Sequence, residues 1–133
     1  MTKQLTLGKN ERLKSRKQIE QLFSKGKNFV VKPFRIYYRI HQVAFTLQFG
    51  VSVSGKNFRK AVDRNRIKRL VREAYRLQKI FLQEKLKEKK LQINIFFIYT
   101  GKELPDFNLI KEKVDVALKK LLAIVDENTS PNS

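Results

Sequence analysis

The sequence predicts an α+β protein, a small two-layer sandwich of helices packed on one sheet. Three observations carry that reading. Residues 34–41 and 43–54 alternate apolar and polar side chains, the period of a strand with one buried face. Two stretches, from about Ala61 past Gln78 and near 108–125, repeat apolar positions every three to four residues, the period of an amphipathic helix. These patterns interleave within 133 residues, a length that suits one domain, because two halves without a single Cys would each bury too little surface. The expected order is helix, strands, helix, strand, helix. Residues 1–125 form the expected domain, residues 1–10 read as loose, and 126–133 read as a flexible tail.

The first helix is short. Ser15 with Gln18 three residues on is a capping-box pattern, Ile19, Leu22 and Phe23 form an apolar stripe, and Gly26 offers a stop. That predicts a helix over 16–25. Phe29-Val30-Val31 reads as a short strand ended by Pro33. In the next strand Phe34, Ile36, Tyr38 and Ile40 face the core, while Arg35, Tyr37, Arg39 and His41 form a basic, aromatic, solvated face. In the third, Phe45, Leu47, Phe49, Val51 and Val53 take the core side. Ala44, Thr46, Gln48, Gly50, Ser52 and Ser54 oppose them, all short or polar. Such a face is either an ordinary solvated surface or a floor with headroom on which an extended ligand can lie.

The second helix sorts into two arcs. At 100° per residue, Ile67, Leu70, Val71, Ala74 and Leu77 fall within about 120°, the expected core face. Arg64, Lys68, Arg69, Arg72, Arg76 and Lys79 occupy a separate arc of about 140°, with Glu73 beyond its edge. Residues 82–90 either extend the helix or form a solvated connection. Leu91 to Thr100 is a nearly continuous apolar run, expected as a central strand ended by Gly101. Asp106 or Asn108 can cap the last helix, whose stripe is Leu109 or Ile110, Val114, Ala117, Leu118, Leu121 and Leu122.

Charge narrows the function. Thirty Lys+Arg against twelve Asp+Glu leave a net +18. Residues 1–55 carry 11 basic and 2 acidic side chains, residues 56–90 carry 14 and 4, and residues 91–133 carry 5 and 6. A compact domain so charged repels itself, and a polyanion relieves the repulsion. Solvated helices usually mix signs to form i,i+4 pairs, so an unmixed ridge favours a nucleic-acid partner over an idle surface. No apolar run reaches the roughly 20 residues a spanning helix needs, and Met1 to Lys9 has no apolar signal core, so a cytoplasmic protein with no membrane partner is expected. The lack of Cys and the single His remove zinc ribbons, thiol nucleophiles and most Ser–His–Asp readings. His41 reads as a surface His, Asp63 as a dipole-favoured charge at a helix start, and Glu112 with Asp115 as a solvated pair. No catalytic residue and no metal ligand is assigned.

The most specific stretch is Phe58-Arg59-Lys60-Ala61-Val62-Asp63-Arg64-Asn65-Arg66-Ile67-Lys68-Arg69-Leu70-Val71-Arg72. It resembles the signature of the bacterial ribonuclease P protein family: Ala, then Arg-Asn-Arg, an aliphatic residue, two basic residues and a further Arg on one helix. Gly50 to Asn57 looks like that family's third strand and following turn. Arg12-Leu13-Lys14 and Leu22-Phe23-Ser24-Lys25-Gly26 sit where the family has similar residues. The resemblance covers roughly residues 10–122. Two positions depart from it: Ile19, where an aromatic residue is frequent, and Gly55, where a second Lys is common.

The resemblance implies a protein subunit that binds a catalytic RNA and is not itself catalytic. That RNA, with Mg²⁺, hydrolyses a phosphodiester bond to remove the 5′ leader of precursor tRNA. It implies a left-handed β-α-β crossover and a cleft between the sheet and the first helix that holds the single-stranded leader. Leader contacts are expected from Ile19, Phe23, Arg35, Tyr37, Arg39, Arg64, Asn65, Lys68 and Arg72. Tyr37 would supply a stacking platform and the arginines phosphate contacts, which suit a site that must accept many sequences. Lys56, Arg59, Lys60, Arg66 and Arg69 are expected to dock the catalytic RNA. The protein is expected as a monomer. A structural RNA-binding protein of ribosomal type is the alternative. A DNA-binding module is disfavoured because one side of the second helix is committed to packing.

Overall fold

The computed structural model describes residues 12, 13, 15–42 and 46–127. Strands β1 (Lys27–Val31), β2 (Phe34–His41), β3 (Thr46–Val53) and β4 (Gln92–Tyr99) form one sheet in the order β1-β2-β4-β3. β1 pairs with β2 and β2 with β4 antiparallel, whereas β3 and β4 run parallel. The helices are α1 (Arg16–Lys25), α2 (Ala61–Gln78), α3 (Ile80–Lys89) and α4 (Phe107–Glu127). The chain leaving β3 passes through α2 and α3 before entering β4 beside it, which makes the β-α-β crossover.

Alternation divides the sheet faces. Phe34 and Ile36, Ile93, Ile95, Phe97 and Tyr99, and Leu47, Phe49, Val51 and Val53 share one buried face with the apolar stripes of α2, α3 and α4. Phe96 points the other way and joins Leu13 and Leu22 in a second, smaller cluster beneath α1. The sandwich therefore carries a partial third layer. This is why β4 is apolar along both faces: both are covered.

The local signals act through identifiable contacts. The Gln18 N–H donates to Ser15 Oγ at 3.3 Å, and the Leu109 N–H donates to Asp106 Oδ1 at 2.8 Å, so these side chains satisfy orphan donors of α1 and α4. Gly26 ends α1 in extended backbone (φ −79°, ψ 171°), and its requirement is space. A Cβ there would lie 2.5 Å from the Leu22 carbonyl and 2.9 Å from that of Tyr38.

The structure corrects several expectations. Along α2 the buried residues are Ile67, Val71, Ala74 and Tyr75. Leu70 is half-buried, and Leu77 is 41% exposed. The buried arc is rotated by about 50° toward the basic residues relative to the predicted one. The cause is Tyr75, whose ring stacks on Phe49 of β3 with centroids 3.9 Å apart and planes 9° from parallel. Lys79, expected on the exposed ridge, is fully buried where α2 turns into α3, and Arg76 pairs with Glu73, so the ridge loses its C-terminal end. Residues 80–89 form their own helix, anchored by buried Leu82 and Leu86 and closed by Lys90 in the left-handed region (φ 56°, ψ 46°). α4 runs through Glu127, and Lys85 pairs with Asp126 at 3.2 Å, so the first two residues of the expected tail are helical. Residues 128–133, residues 1–10, Ala44 and Phe45 lie outside the described residues. Among the described residues no helix is long and apolar enough to cross a membrane.

Candidate nucleic-acid interface

The sheet face beneath α1 is built from rows of side chains in register. One row runs Asn28, Tyr37, Phe96, Gly50 across β1, β2, β4 and β3. The next runs Val30, Arg35, Ile98, Ser52, and on the other side lie Arg39, Asn94 and Gln48. α1 is pinned over this face by Leu22, which is fully buried, with Ile19 half-buried beside it. Phe23, one residue on, stays 43% exposed. Its ring lies 4.8 Å from Tyr37 and 5.4 Å, edge-on, from Phe96. Tyr37 is itself half-buried. Together they form a partly open aromatic wall against which a nucleobase can stack.

The floor beside this wall is narrower than the sequence suggests. Gly50 is buried, and a Cβ there would meet the Phe96 ring at 2.6 Å and the Leu13 carbonyl at 3.2 Å. Leu13 reaches this place because residues 12 and 13 pair along the outer edge of β3, where the Leu13 N–H donates to the Phe49 carbonyl at 2.9 Å. The expected headroom is therefore closed at Gly50. Gln48, Ser52 and Ser54 are half-buried, and Arg35 is exposed with Nη1 donating to Asn28 Oδ1 at 2.8 Å. Arg39 and His41 are half-buried on the same face. Partial burial first, and the Arg39 charge second, lower the His41 pKa from its ordinary 6.5.

The basic motif is oriented by its own loop. Phe58 is buried against Tyr99, and Asn57 Nδ2 donates to the carbonyls of Thr100 and Gly101 at 3.4 and 3.3 Å, tying the turn to the end of β4. Arg64 Nη1 then donates to the carbonyls of Phe58 and Arg59 at 2.7 and 2.8 Å. Part of that guanidinium thus holds the loop that presents Lys56, Arg59 and Lys60, all exposed. The rotation of α2 sorts the rest. Arg64 and Lys68 are half-buried on the flank beside the buried stripe, Arg72 and Asn65 are exposed farther round, and Arg69 and Arg66 face outward.

Arg12 joins the two halves of this surface. It is exposed at the β3 edge, and after partial burial its charge is the second influence that lowers the pKa of Arg72. Arg12, Phe96, Ile98, Asn57 and Phe58 are not among the expected contact residues, although Arg12, Asn57 and Phe58 lie in stretches that carry the family resemblance. The signal for Phe96 and Ile98 was the run of residues apolar on both faces of β4. Among the described residues none of the cations of this region, Arg12, Arg35, Arg39, Lys56, Arg59, Lys60, Arg64, Arg66, Lys68, Arg69 or Arg72, makes an ion pair. The pairs seen, Arg76–Glu73, Lys85–Glu88, Lys85–Asp126, Lys89–Asp126 and Lys119–Asp115, lie in later segments. Among the described residues no three His, Asp or Glu side chains converge into a group that could hold a metal ion.

Residues 7–122 match the family model described as ribonuclease P. A ribonuclease P protein component from Porphyromonas gingivalis is 43% identical over 129 residues, covering 95% of this chain and 93% of the relative. One from Chlorobium phaeobacteroides is 32% identical over 121 residues, covering 82% and 83%. The structure of the RNase P protein from Thermotoga maritima superposes with a TM-score of 0.66 at 29% identity, covering 83% of this chain and 96% of that one. The Staphylococcus aureus protein shares the fold with a TM-score of 0.67 at 24% identity, covering 85% and 96%.

Proposed function

The chain belongs to the ribonuclease P protein family, and from that premise we propose that it holds precursor tRNA on a catalytic RNA by gripping the 5′ leader beneath α1. The observation that carries this reading is the aromatic wall of Phe23, Tyr37 and Phe96 bordered by cations that make no ion pair among the described residues. Stacking tolerates any base, and unpaired guanidinium and ammonium groups meet phosphates without reading sequence. Arg35, Arg39, Lys68 and Arg72 follow the leader backbone, with Ile19 filling the wall between α1 and the sheet. Arg64 positions the loop, and Asn65 lies beside Arg72. Lys56, Arg59, Lys60, Arg66 and Arg69, on the outward side, dock the catalytic RNA.

The polypeptide contributes binding and orientation, and the RNA contributes the cleavage chemistry. Within the ribonucleoprotein, Mg²⁺ would be held by the RNA and would supply Lewis-acid stabilisation of phosphodiester hydrolysis. A tRNA-processing subunit works in the cytoplasm. The test is reconstitution with a bacterial ribonuclease P RNA and labelled precursor tRNA at low Mg²⁺. The protein restores leader cleavage, and Phe23→Ala with Tyr37→Ala lowers affinity roughly tenfold for substrate with a leader but not for mature tRNA, as expected for about 1–3 kcal/mol per stacked base. RNA binding without restored cleavage would assign a purely structural RNA-binding role. Cleavage by the protein alone would overturn the non-catalytic reading.

A further inference from the structure

The outer edge of the sheet is stepped. β1 begins at Lys27, paired with Tyr38, and β2 runs on past it through Arg39, Ile40 and His41. At the step the chain comes off α1, and a cavity of about 300 Å³ opens there, lined by Lys25, Lys27, Tyr38, Arg39, Ile40 and Ile124 around Gly26. Tyr38 turns its carbonyl toward Gly26, 2.9 Å from where a Cβ would stand. Backbone groups alternate sides along a strand, so Ile40 turns its N–H the same way, into the step. No strand pairs with it there, and no other described backbone group bonds it. Three cations line the step, and among the described residues no carboxylate does. Lys25, Lys27 and Arg39 make no ion pair with any described residue. Lys25 has a local reason for its place, because a cation is favoured in the last turn of a helix. That reason does not extend to Lys27 in β1 or Arg39 in β2, and like charges brought together repel unless an anion joins them.

We propose that the step is a phosphate-binding site for the precursor-tRNA leader, which runs past the aromatic wall to the sheet edge. The inference rests on the leader-binding reading and extends it to Lys25 and Lys27. Continuity selects the leader over the catalytic RNA. Arg39 stands two residues beyond Tyr37 on the same strand and the same face, a distance of about 7 Å. Lys25 follows Phe23 by two residues at the end of α1. The cations assigned to the catalytic RNA begin in the loop after β3, at the opposite edge of the sheet. A phosphate in the step meets two ammonium groups, a guanidinium and the Ile40 N–H. None of these reads a base, so the affinity gained is independent of leader sequence.

The test measures the affinity of the reconstituted ribonucleoprotein for precursor tRNAs whose leaders lengthen one nucleotide at a time. Lys25→Ala with Lys27→Ala lowers affinity roughly fivefold for leaders that reach the step, the scale of two exposed charge contacts. It also lowers the log–log salt slope by about one, and it leaves mature tRNA and the shortest leaders unaffected. Lys102→Ala with Lys111→Ala, the same change of charge at exposed positions elsewhere, shows no such dependence on length. A neutral methylphosphonate linkage, placed where the length effect sets in, weakens binding to the unaltered protein and adds nothing to the lysine variant. An equal loss for mature tRNA, or weaker assembly with the catalytic RNA, would give the step to that RNA and overturn the proposal. No loss with any RNA would overturn it too, and leave the free edge of β2 to a peptide strand. Phe23→Ala with Tyr37→Ala separates the two readings. If that pair discriminates by leader and the lysine pair does not, the step alone fails; if neither does, the leader-binding reading fails with it.

Discussion

At position 50 a single missing methyl group organises the interface. A Cβ there would overlap the Phe96 ring at 2.6 Å, so the ring that braces Phe23 keeps its place only over glycine. Gly50→Val is expected to cost about 1–3 kcal/mol, the usual penalty for overpacking, read as a lower urea midpoint with unchanged slope. The alternation of short side chains around Gly50 reads as open floor, and it is the approach of Leu13 and Phe96 that fills it. Arg64 teaches a related lesson. Its place in the Arg-Asn-Arg motif makes it an expected RNA contact, and the fold gives it a structural task, holding the carbonyls of Phe58 and Arg59.

Helix ends and helix roll are where elements departed most from their sequence signals. α1 and α4 begin at Ser15 and Asp106, whose side chains are visible caps, and both starts were legible. α3 was not, because it ends without glycine: Lys90 adopts φ 56°, an uncommon region for a residue with a side chain. Lys90→Gly is expected to raise stability by about 0.5–1 kcal/mol, the left-handed strain of about 1–2 kcal/mol being partly offset by glycine's greater unfolded-state freedom. Thermal unfolding monitored by circular dichroism checks this, and a lower melting temperature would count against it. The roll of α2 was misjudged because Leu70 and Leu77 looked like core residues. Tyr75 carries a larger apolar ring and finds Phe49, which turns the helix until Leu77 emerges. No local pattern announces such a partnership across 26 residues of chain.

Across the whole molecule, charge is segregated. Among the described residues the cations of the interface make no ion pair, whereas in later segments Arg76, Lys85, Lys89 and Lys119 pair with Glu73, Glu88, Asp126 and Asp115. Assembly with the catalytic RNA should therefore weaken steeply with salt, through counterion release. Arg66→Ala should lower RNA affinity and reduce the log–log salt slope by about one phosphate contact. An unchanged slope in a filter-binding titration would remove Arg66 from the docking surface. Periodicity, caps and composition are local properties, so the α+β class, most helix and strand positions, the family resemblance and the cationic motif follow directly from the order of amino acids. Which face each cation presents, the pairing of residues 12 and 13 along the edge of β3, and the closure of the floor over Gly50 by Phe96 emerge only on folding. Those are contacts between distant segments, set by how rings and strands pack once both sheet faces are covered.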